Sequence, residues 1–229
     1  MNKIKVGVNG YGVIGKRVAD AVLIQPDMVL VGVADIATDW RIKSAANRLT
    51  LFASTDEAKQ AMIAEKLQPA GTLDQLLEQS DVIIDTTPKH VAAGNLDRYR
   101  TAGVKAVFQG GESHQTIGHS FVAQANYASA LGRDTTRVVS CNTTSIVRVL
   151  GALDNAGLLL RARGVLLRRA TDPWESHLGG IMNTMVPEPT IPSHQGPDAQ
   201  TVLPGLDLVT IAAKGAHTQT HNHYWTVQL

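Results

Sequence analysis

The most reactive side chain in this sequence is its one cysteine, and the neighbours of that cysteine suit chemistry. Cys141 stands in Val138-Val139-Ser140-Cys141-Asn142-Thr143-Thr144-Ser145, where an apolar run gives way to a polar stretch. Ser140, Asn142 and Thr143 are helix-capping types, so the pattern predicts a strand ending at Ser140 and a helix over Thr143 to Leu153. A thiol in the first turn of a helix has its thiolate favoured by unpaired amides and by the positive end of the helix dipole. The alternative for a lone cysteine is an inert core residue. The polar neighbours Ser140, Asn142, Thr143 and Thr144 argue against that alternative.

Two histidines are candidate partners. In His221-Asn222-His223-Tyr224-Trp225 the segment reads as a strand, which places His221 and His223 on one face. A histidine beside the sulfur serves as general base near neutral pH. The rival reading is a two-histidine metal site, but no third ligand is identifiable beyond His217, and no metal is expected. Arg168 and Arg169 offer guanidinium forks for phosphate, and Thr143 and Thr144 offer hydroxyls at a helix start. As neighbours on a strand the two arginines face opposite sides and do different work.

A second kind of chemistry is written near the start. Gly10-Tyr11-Gly12-Val13-Ile14-Gly15 follows a strand-like run and opens a helical one, the context in which this glycine spacing holds a dinucleotide pyrophosphate. Gly10 permits the tight turn, Gly12 lets backbone approach the phosphates, and Gly15 allows the helix to pack close. Asp35 lies 20 residues beyond Gly15 at the end of the second predicted strand, where a carboxylate accepts from a ribose hydroxyl. Asp35 favours NAD, whereas Lys16, Arg17, Arg41 and Lys43 blur the choice, so the cofactor is NAD or NADP. The alternative is a glycine turn that merely packs tightly. Asp85-Thr86-Thr87-Pro88 and Gln109-Gly110-Gly111-Glu112 end further strands and frame the same crevice.

The elements that position these residues change character along the chain. Strands are predicted at Ile4 to Val8, Val29 to Ala34, Val82 to Asp85, Val104 to Phe108 and Val138 to Val139. Helices are predicted at Val13 to Ile24, Asp56 to Leu67, Leu73 to Gln79 and His90 to Ala102. Alternation of this kind means right-handed crossovers and a parallel sheet covered on both faces. Beyond residue 140 come long apolar stretches, Leu158 to Arg169, Leu206 to Ala213 and His217 to Leu229, separated by a Pro-rich segment from about 170 to 205. That segment carries Trp174, His177, Met182, Met185 and His194 and reads as an ordered loop rather than a linker. The fold class expected is α/β: a Rossmann-like parallel sheet over residues 1–140, then a partial α+β catalytic domain over 141–229 with an antiparallel-leaning sheet.

Composition narrows the function classes. With 21 Lys+Arg against 20 Asp+Glu in 229 residues, nothing points to a polyanion-binding surface, so no nucleic-acid partner is expected. No apolar run reaches membrane-spanning length, and the first residues lead straight into a strand, so neither a membrane partner nor a signal peptide is expected. One cysteine excludes an internal disulfide and suits a cytoplasmic setting. The last residues look like the middle of a strand, which reads as a fragment.

Taken in order, the glycine motif, Gln109-Gly110-Gly111, Ser140-Cys141-Asn142-Thr143-Thr144, Arg168-Arg169-Ala170-Thr171-Asp172-Pro173, Pro192-Ser193-His194-Gln195-Gly196-Pro197-Asp198 and His221-Asn222-His223 resemble archaeal-type (type II) glyceraldehyde-3-phosphate dehydrogenase across essentially the whole chain. The resemblance implies that Cys141 is the nucleophile and His221 the catalytic histidine. It implies that Ser140 and Asn142 contact the aldehyde substrate, and that His194 and Gln195 contact substrate or phosphate. Gly12, Val13, Gly111 and Arg169 match cofactor-contacting positions, with Gly10, Ile14, Gly15, Asp35 and Thr86 completing the expected crevice; Thr143 and Arg168 join the substrate side. Inorganic phosphate and a phosphorylated aldehyde are the implied small-molecule partners, and the Pro-rich loop implies packing between subunits of a homotetramer. The sequence departs from the family pattern at Ser145, at Gly215-Ala216, and in ending at Leu229, short of the rest of the family's catalytic sheet. Other readings stay open: another thiol-dependent semialdehyde dehydrogenase, or an inactive NAD(P)-binding fragment acting as an interaction module.

Overall fold

The computed structural model describes residues 2–169, 184–217 and 220–229. The chain divides into two compact units, one of Met1–His119 with Ala130–Val138 and the other of Ser120–Ser129 with Val139–Leu229.

The first unit runs β1 (Ile4–Asn9), α1 (Val13–Leu23), β2 (Met28–Asp35), α2 (Trp40–Ala46), β3 (Leu51–Ala53), α3 (Asp56–Ala64), β4 (Gly71–Thr72), α4 (Leu73–Leu77), β5 (Val82–Asp85), α5 (Val91–Thr101), β6 (Lys105–Phe108) and α6 (His114–Ile117). After β7 (Ser120–Phe121) and α7 (Ala123–Ala130), it is completed by β8 (Thr135–Val138). The order β4-β3-β2-β1-β5-β6-β8 is parallel at every step. Parallel strands are buried on both faces, which is why these runs are continuously apolar. On one face Val8, Val33 and Leu51 pack with Ala19 of α1, Ile42 of α2 and Met62 of α3. On the other, Phe52, Ile83 and Phe108 pack with Leu73, Leu76 and Leu77 of α4 and Leu96 and Tyr99 of α5. Each fully buried side chain of this size contributes about 1.5–3 kcal/mol. Ion pairs such as Lys43–Glu65 and Arg48–Asp20 are solvent-exposed and screened, and add little. The two apolar layers therefore hold the unit.

Local sequence sets the helix starts. Thr55 caps α3 by accepting from the Ala58 amide, and Asp39 caps α2 by accepting from Arg41 and Ile42. Helix α1 keeps small residues on its sheet face, where Gly15, Ala19 and Val22 are buried.

The second unit continues with α8 (Cys141–Asn155), β9 (Arg161–Arg169), β10 (Met185–Pro187), α9 (Gln195–Gln200), β11 (Leu208–Gly215) and β12 (Asn222–Gln228). Its sheet order is β10-β11-β9-β12. The β10–β11 and β12–β9 pairs are antiparallel, but the central β11–β9 pair is parallel. The sheet leans antiparallel as expected, two of its three pairs running that way, with one parallel pair at its centre. The reason is α9: a helix lies between β9 and β11 in the chain, and a crossover of that length returns the strand parallel. Ile146, Val147 and Leu150 of α8 pack on Ala162, Leu166, Leu208 and Ala212 of the sheet and on Ala199 of α9. The described part of the Pro-rich segment holds β10 and α9. Trp174, His177, Met182 and the Ala170-Thr171-Asp172-Pro173 motif lie outside the described residues.

Candidate active site

In the first unit the crevice lies at the carboxyl ends of β1, β2 and β5. Gly10 has φ +91°, a conformation only glycine adopts freely. A Cβ at Gly15 would collide with the Gly10 carbonyl and lie 2.7 Å from Thr86 Oγ1, so helix and turn pack as the motif requires. Thr86 donates its hydroxyl to the Gly10 carbonyl at 2.7 Å and so ties the β5 turn to the glycine loop. Gly12 is different. Its φ of −73° suits any residue, and a Cβ there would meet nothing within 4 Å. The protein's own packing does not demand this glycine, and open space stands in front of an α1 N-terminus that no side chain caps. Val13 and Ile14 begin that helix, so their amides face the same opening. Gly111 has φ +89° at the end of the β6 turn.

Asp35 accepts from the Tyr11 amide at 2.6 Å and from the Ala37 amide at 2.8 Å, which fixes its carboxylate beside the glycine loop. Of the cations flanking it in sequence, Arg41 is gripped by Asp39 through Nε and Nη2 at 2.9 and 2.6 Å, and that bond holds the Asp39 carboxyl below its usual range. Lys43 is paired with Glu65 at 2.7 Å. Beneath the crevice a buried network takes up its polar groups. Asp85, fully buried, accepts from Thr87, Asn95 and Tyr99, and Tyr99 in turn accepts from Asn9. Burial and the adjacent Asp85 charge push the Tyr99 phenol far above its ordinary value, so it stays a neutral donor. The open space at Gly12, the uncapped helix start and the fixed Asp35 carboxylate fit a dinucleotide.

In the second unit Ser140 caps α8 by accepting from the Thr143 amide, which sets Cys141 as the first helical residue, exposed at the helix start. Its Sγ lies 3.5 Å from His221 Nε2 and 3.9 Å from Asn142 Nδ2. The Arg169 amide donates to His221 Nδ1 at 2.9 Å. A nitrogen that accepts a hydrogen bond carries no proton, so neutral His221 bears its hydrogen on Nε2, facing the sulfur. Burial first, then the charges of Arg169 and Arg168 and the neighbouring His223 and His217, lowers the His221 pKa and keeps the ring neutral. The base expected at this position is therefore, in this arrangement, a donor. An open pocket of about 550 Å³ borders these groups, lined by Cys141, Asn142, Ser145, Val149, Thr220, His221, His223 and Trp225.

The remaining expected contacts separate into two groups. Arg168, His194 and Gln195 come together: Glu188 pairs with Arg168 at 3.5 Å and with His194 at 2.7 Å. The Gln195 amide, turned as its neighbours require, accepts from Arg168 at 3.0 Å and from His194 at 3.1 Å. Burial works against the Glu188 charge, but bonds from the His194 amide and ring and the nearby Arg168 hold its pKa below the usual value. Thr143 does not join this cluster. It is fully buried and gives its hydroxyl to Asp198 at 2.9 Å, so it serves the helix start instead of facing a ligand. Arg169 reaches the site through its backbone amide.

Residues 4–117 match the family model described as dihydrodipicolinate reductase, N-terminus. The chain is 44% identical over 230 residues to the glyceraldehyde-3-phosphate dehydrogenase of Methanococcoides burtonii, covering 100% of this chain and 68% of that relative. The protein of the same name from Thermococcus kodakarensis is 46% identical over 228 residues, 99% of this chain and 67% of the relative. That from Methanothermobacter thermautotrophicus is 43% identical over 228 residues, again 99% and 67%. The chain belongs to the glyceraldehyde-3-phosphate dehydrogenase family. Its first unit is the NAD- or NADP-binding Rossmann unit of this oxidoreductase family, and among the described residues no helix is long and apolar enough to cross a membrane.

Within this dehydrogenase framework several residues escape the sequence reading. Glu188, Asp198, Asn9 and Tyr99 each hold an expected site residue or its loop, yet an isolated acidic or aromatic side chain carries no spacing signal. His223 is half-buried and its Nε2 lies 2.8 Å from Asn142 Oδ1. No group of three metal-binding side chains occurs among the described residues, so the two-histidine metal reading finds no third ligand there.

Proposed function

We propose that this chain is an NAD(P)-dependent, phosphorylating glyceraldehyde-3-phosphate dehydrogenase, a glycolytic activity of the cytoplasm, with Cys141 as nucleophile. The observation that carries the reading is Cys141 Sγ at the start of α8, 3.5 Å from a histidine nitrogen that bears a proton. The thiolate attacks the aldehyde carbon, the C–S bond forms, and the carbonyl electron pair moves to oxygen. That oxyanion is met by Nε2–H of His221 and by the Asn142 amide, the preorganised donors such charge needs. NAD or NADP, held at Gly10, Gly12, Val13, Ile14, Gly15, Asp35, Thr86 and Gly111, would supply the hydride acceptor that makes the thiohemiacetal a thioester. Inorganic phosphate then attacks the thioester carbonyl, the C–S bond breaks, and Cys141 leaves as thiolate with release of 1,3-bisphosphoglycerate. Ser140 and Asn142 line the aldehyde position, and Arg168 and His194 provide the donor groups for phosphate oxygens, while the fully buried Gln195 holds both from behind.

A homotetramer accompanies this reading. Val165, Ile211 and Tyr224 are exposed apolar side chains of β9, β11 and β12, and such a sheet face suits association with further copies.

The test is NAD(P)H formation from glyceraldehyde 3-phosphate with and without phosphate, on the chain and on Cys141→Ser. Turnover that needs phosphate and vanishes in Cys141→Ser is expected. Turnover that survives the substitution would remove the thiol mechanism, and turnover indifferent to phosphate would favour a non-phosphorylating semialdehyde dehydrogenase.

A further inference from the structure

His223 has no part in the reaction as written above, yet it is tied to the thiol by one intermediary. It lies two residues beyond His221, and the alternation of strand side chains turns both rings to the same face. His221 reaches the sulfur directly; His223 stops at Asn142, with Nε2 2.8 Å from Oδ1. The other end of the same amide, Nδ2, points at Cys141 Sγ from 3.9 Å. A carboxamide has an acceptor end and a donor end, and only the donor end benefits a thiolate or an oxyanion. Turned around, Asn142 would aim its oxygen at the sulfur and repel the charge that the reaction needs.

The geometry points to His223 as a positioning residue: its Nε2–H binds the Asn142 oxygen and so commits the amide N–H to the sulfur and to the oxyanion that forms beside it. Asn142 is 4% exposed, so the water that would otherwise satisfy either end has little access. Burial lowers the pKa of His223, and the neutral ring holds the amide without adding charge to the site. Trp225 stands edge-on to His223 with ring centroids 6.2 Å apart, which limits the ring's freedom to turn away. The sulfur then lies between two hydrogens, one on His221 and one on Asn142, each fixed from behind by a separate partner, the Arg169 amide and His223. This rests on Cys141 being the nucleophile, as proposed above.

The experiment follows alkylation of Cys141 by iodoacetamide from pH 6 to 9, a readout that needs neither dinucleotide nor turnover. His217, His221, Arg168 and Arg169 remain constant in every variant. His223→Phe keeps a ring of similar size without a donor, and His223→Gln restores a donor. Alkylation forms no oxyanion, so the amide acts only by holding the charged sulfur; losing a hydrogen bond to a charged group costs about tenfold or more, and about a tenfold slower alkylation at neutral pH is expected for His223→Phe. A rightward shift of the pH profile accompanies it, and His223→Gln recovers most of the rate. In an Asn142→Ala background the His223→Phe substitution has no further effect, because the two act as one unit. Unchanged alkylation in His223→Phe, or an equal further loss without Asn142, overturns the positioning role while leaving Cys141 as nucleophile. An unsubstituted thiol that alkylates no faster than a free cysteine overturns both. Matched thermal melts of the two His223 variants exclude misfolding as the cause.

Discussion

Gly12 and Gly15 occupy the same motif but answer to different masters, and alanine at each separates binding from folding. At Gly12 the added methyl meets no protein atom within 4 Å, and φ is already −73°. The folding cost is that of alanine for glycine at a helix N-cap, about 0.5–1 kcal/mol. For a chain of this length that lowers the melting temperature by roughly 1–4 °C. The same methyl fills the opening before the α1 amides, and losing one charge-assisted bond to a pyrophosphate costs about 1.5–3 kcal/mol, roughly ten- to a hundredfold in affinity. At Gly15 the methyl would strike the Gly10 carbonyl and approach Thr86 Oγ1, so the helix must shift and stability falls as well. The assay is NADH titration by fluorescence beside thermal melts of both variants. Gly12→Ala is expected to melt nearly normally and bind poorly, and Gly15→Ala to lose both. A Gly12→Ala protein that binds NADH as the parent does would refute the crevice assignment.

Other outcomes follow from the same geometry. Asp39→Ser keeps a capping oxygen for α2 but releases Arg41 from its two-bond grip, so NADPH should gain affinity relative to NADH, and Arg41→Ala in that background should reverse the gain; equilibrium binding reads both. The His221 and His223 pKa values lie below the ordinary 6.5, so as pH falls the unfolded chain takes up protons before the folded one. Stability carried by these neutral rings is present above about pH 6.5 and lost below it, and denaturant midpoints at pH 7.5 and 5.5 should separate in that direction. Gly164→Ala would drive a methyl into the Trp225 ring across the β9–β12 pair, at a cost of about 1–3 kcal/mol in overpacking, seen as a lower melting temperature.

Much of this architecture is legible in residue order because parallel strands must be apolar on both faces. The runs ending at Asn9, Asp35, Asp85 and Phe108 announce themselves, and so do the glycines between the first strand and its helix. Shorter pieces are not announced: β3 is three residues and α2 seven, too brief for a period to emerge. The expected strand at Val138 to Val139 is β8 at Thr135–Val138, since two threonines and an arginine mask a strand that is only partly apolar. Cys141 with Ser140 is readable because a cap and a helix start are local. Asn142 facing His223 joins positions 81 apart, and no local pattern encodes that contact. Thr143 shows the limit from the other side: a hydroxyl at a helix start suits phosphate by type, and the fold spends it on Asp198.

The most direct measurement is a single turnover of glyceraldehyde 3-phosphate with NAD in the absence of phosphate, followed by mass spectrometry of the Cys141 peptide. A stoichiometric burst of NADH with an acyl adduct on Cys141, discharged when phosphate is added, is the expected result. NADH formed without an adduct, or an adduct on another residue, would contradict the role assigned to Cys141.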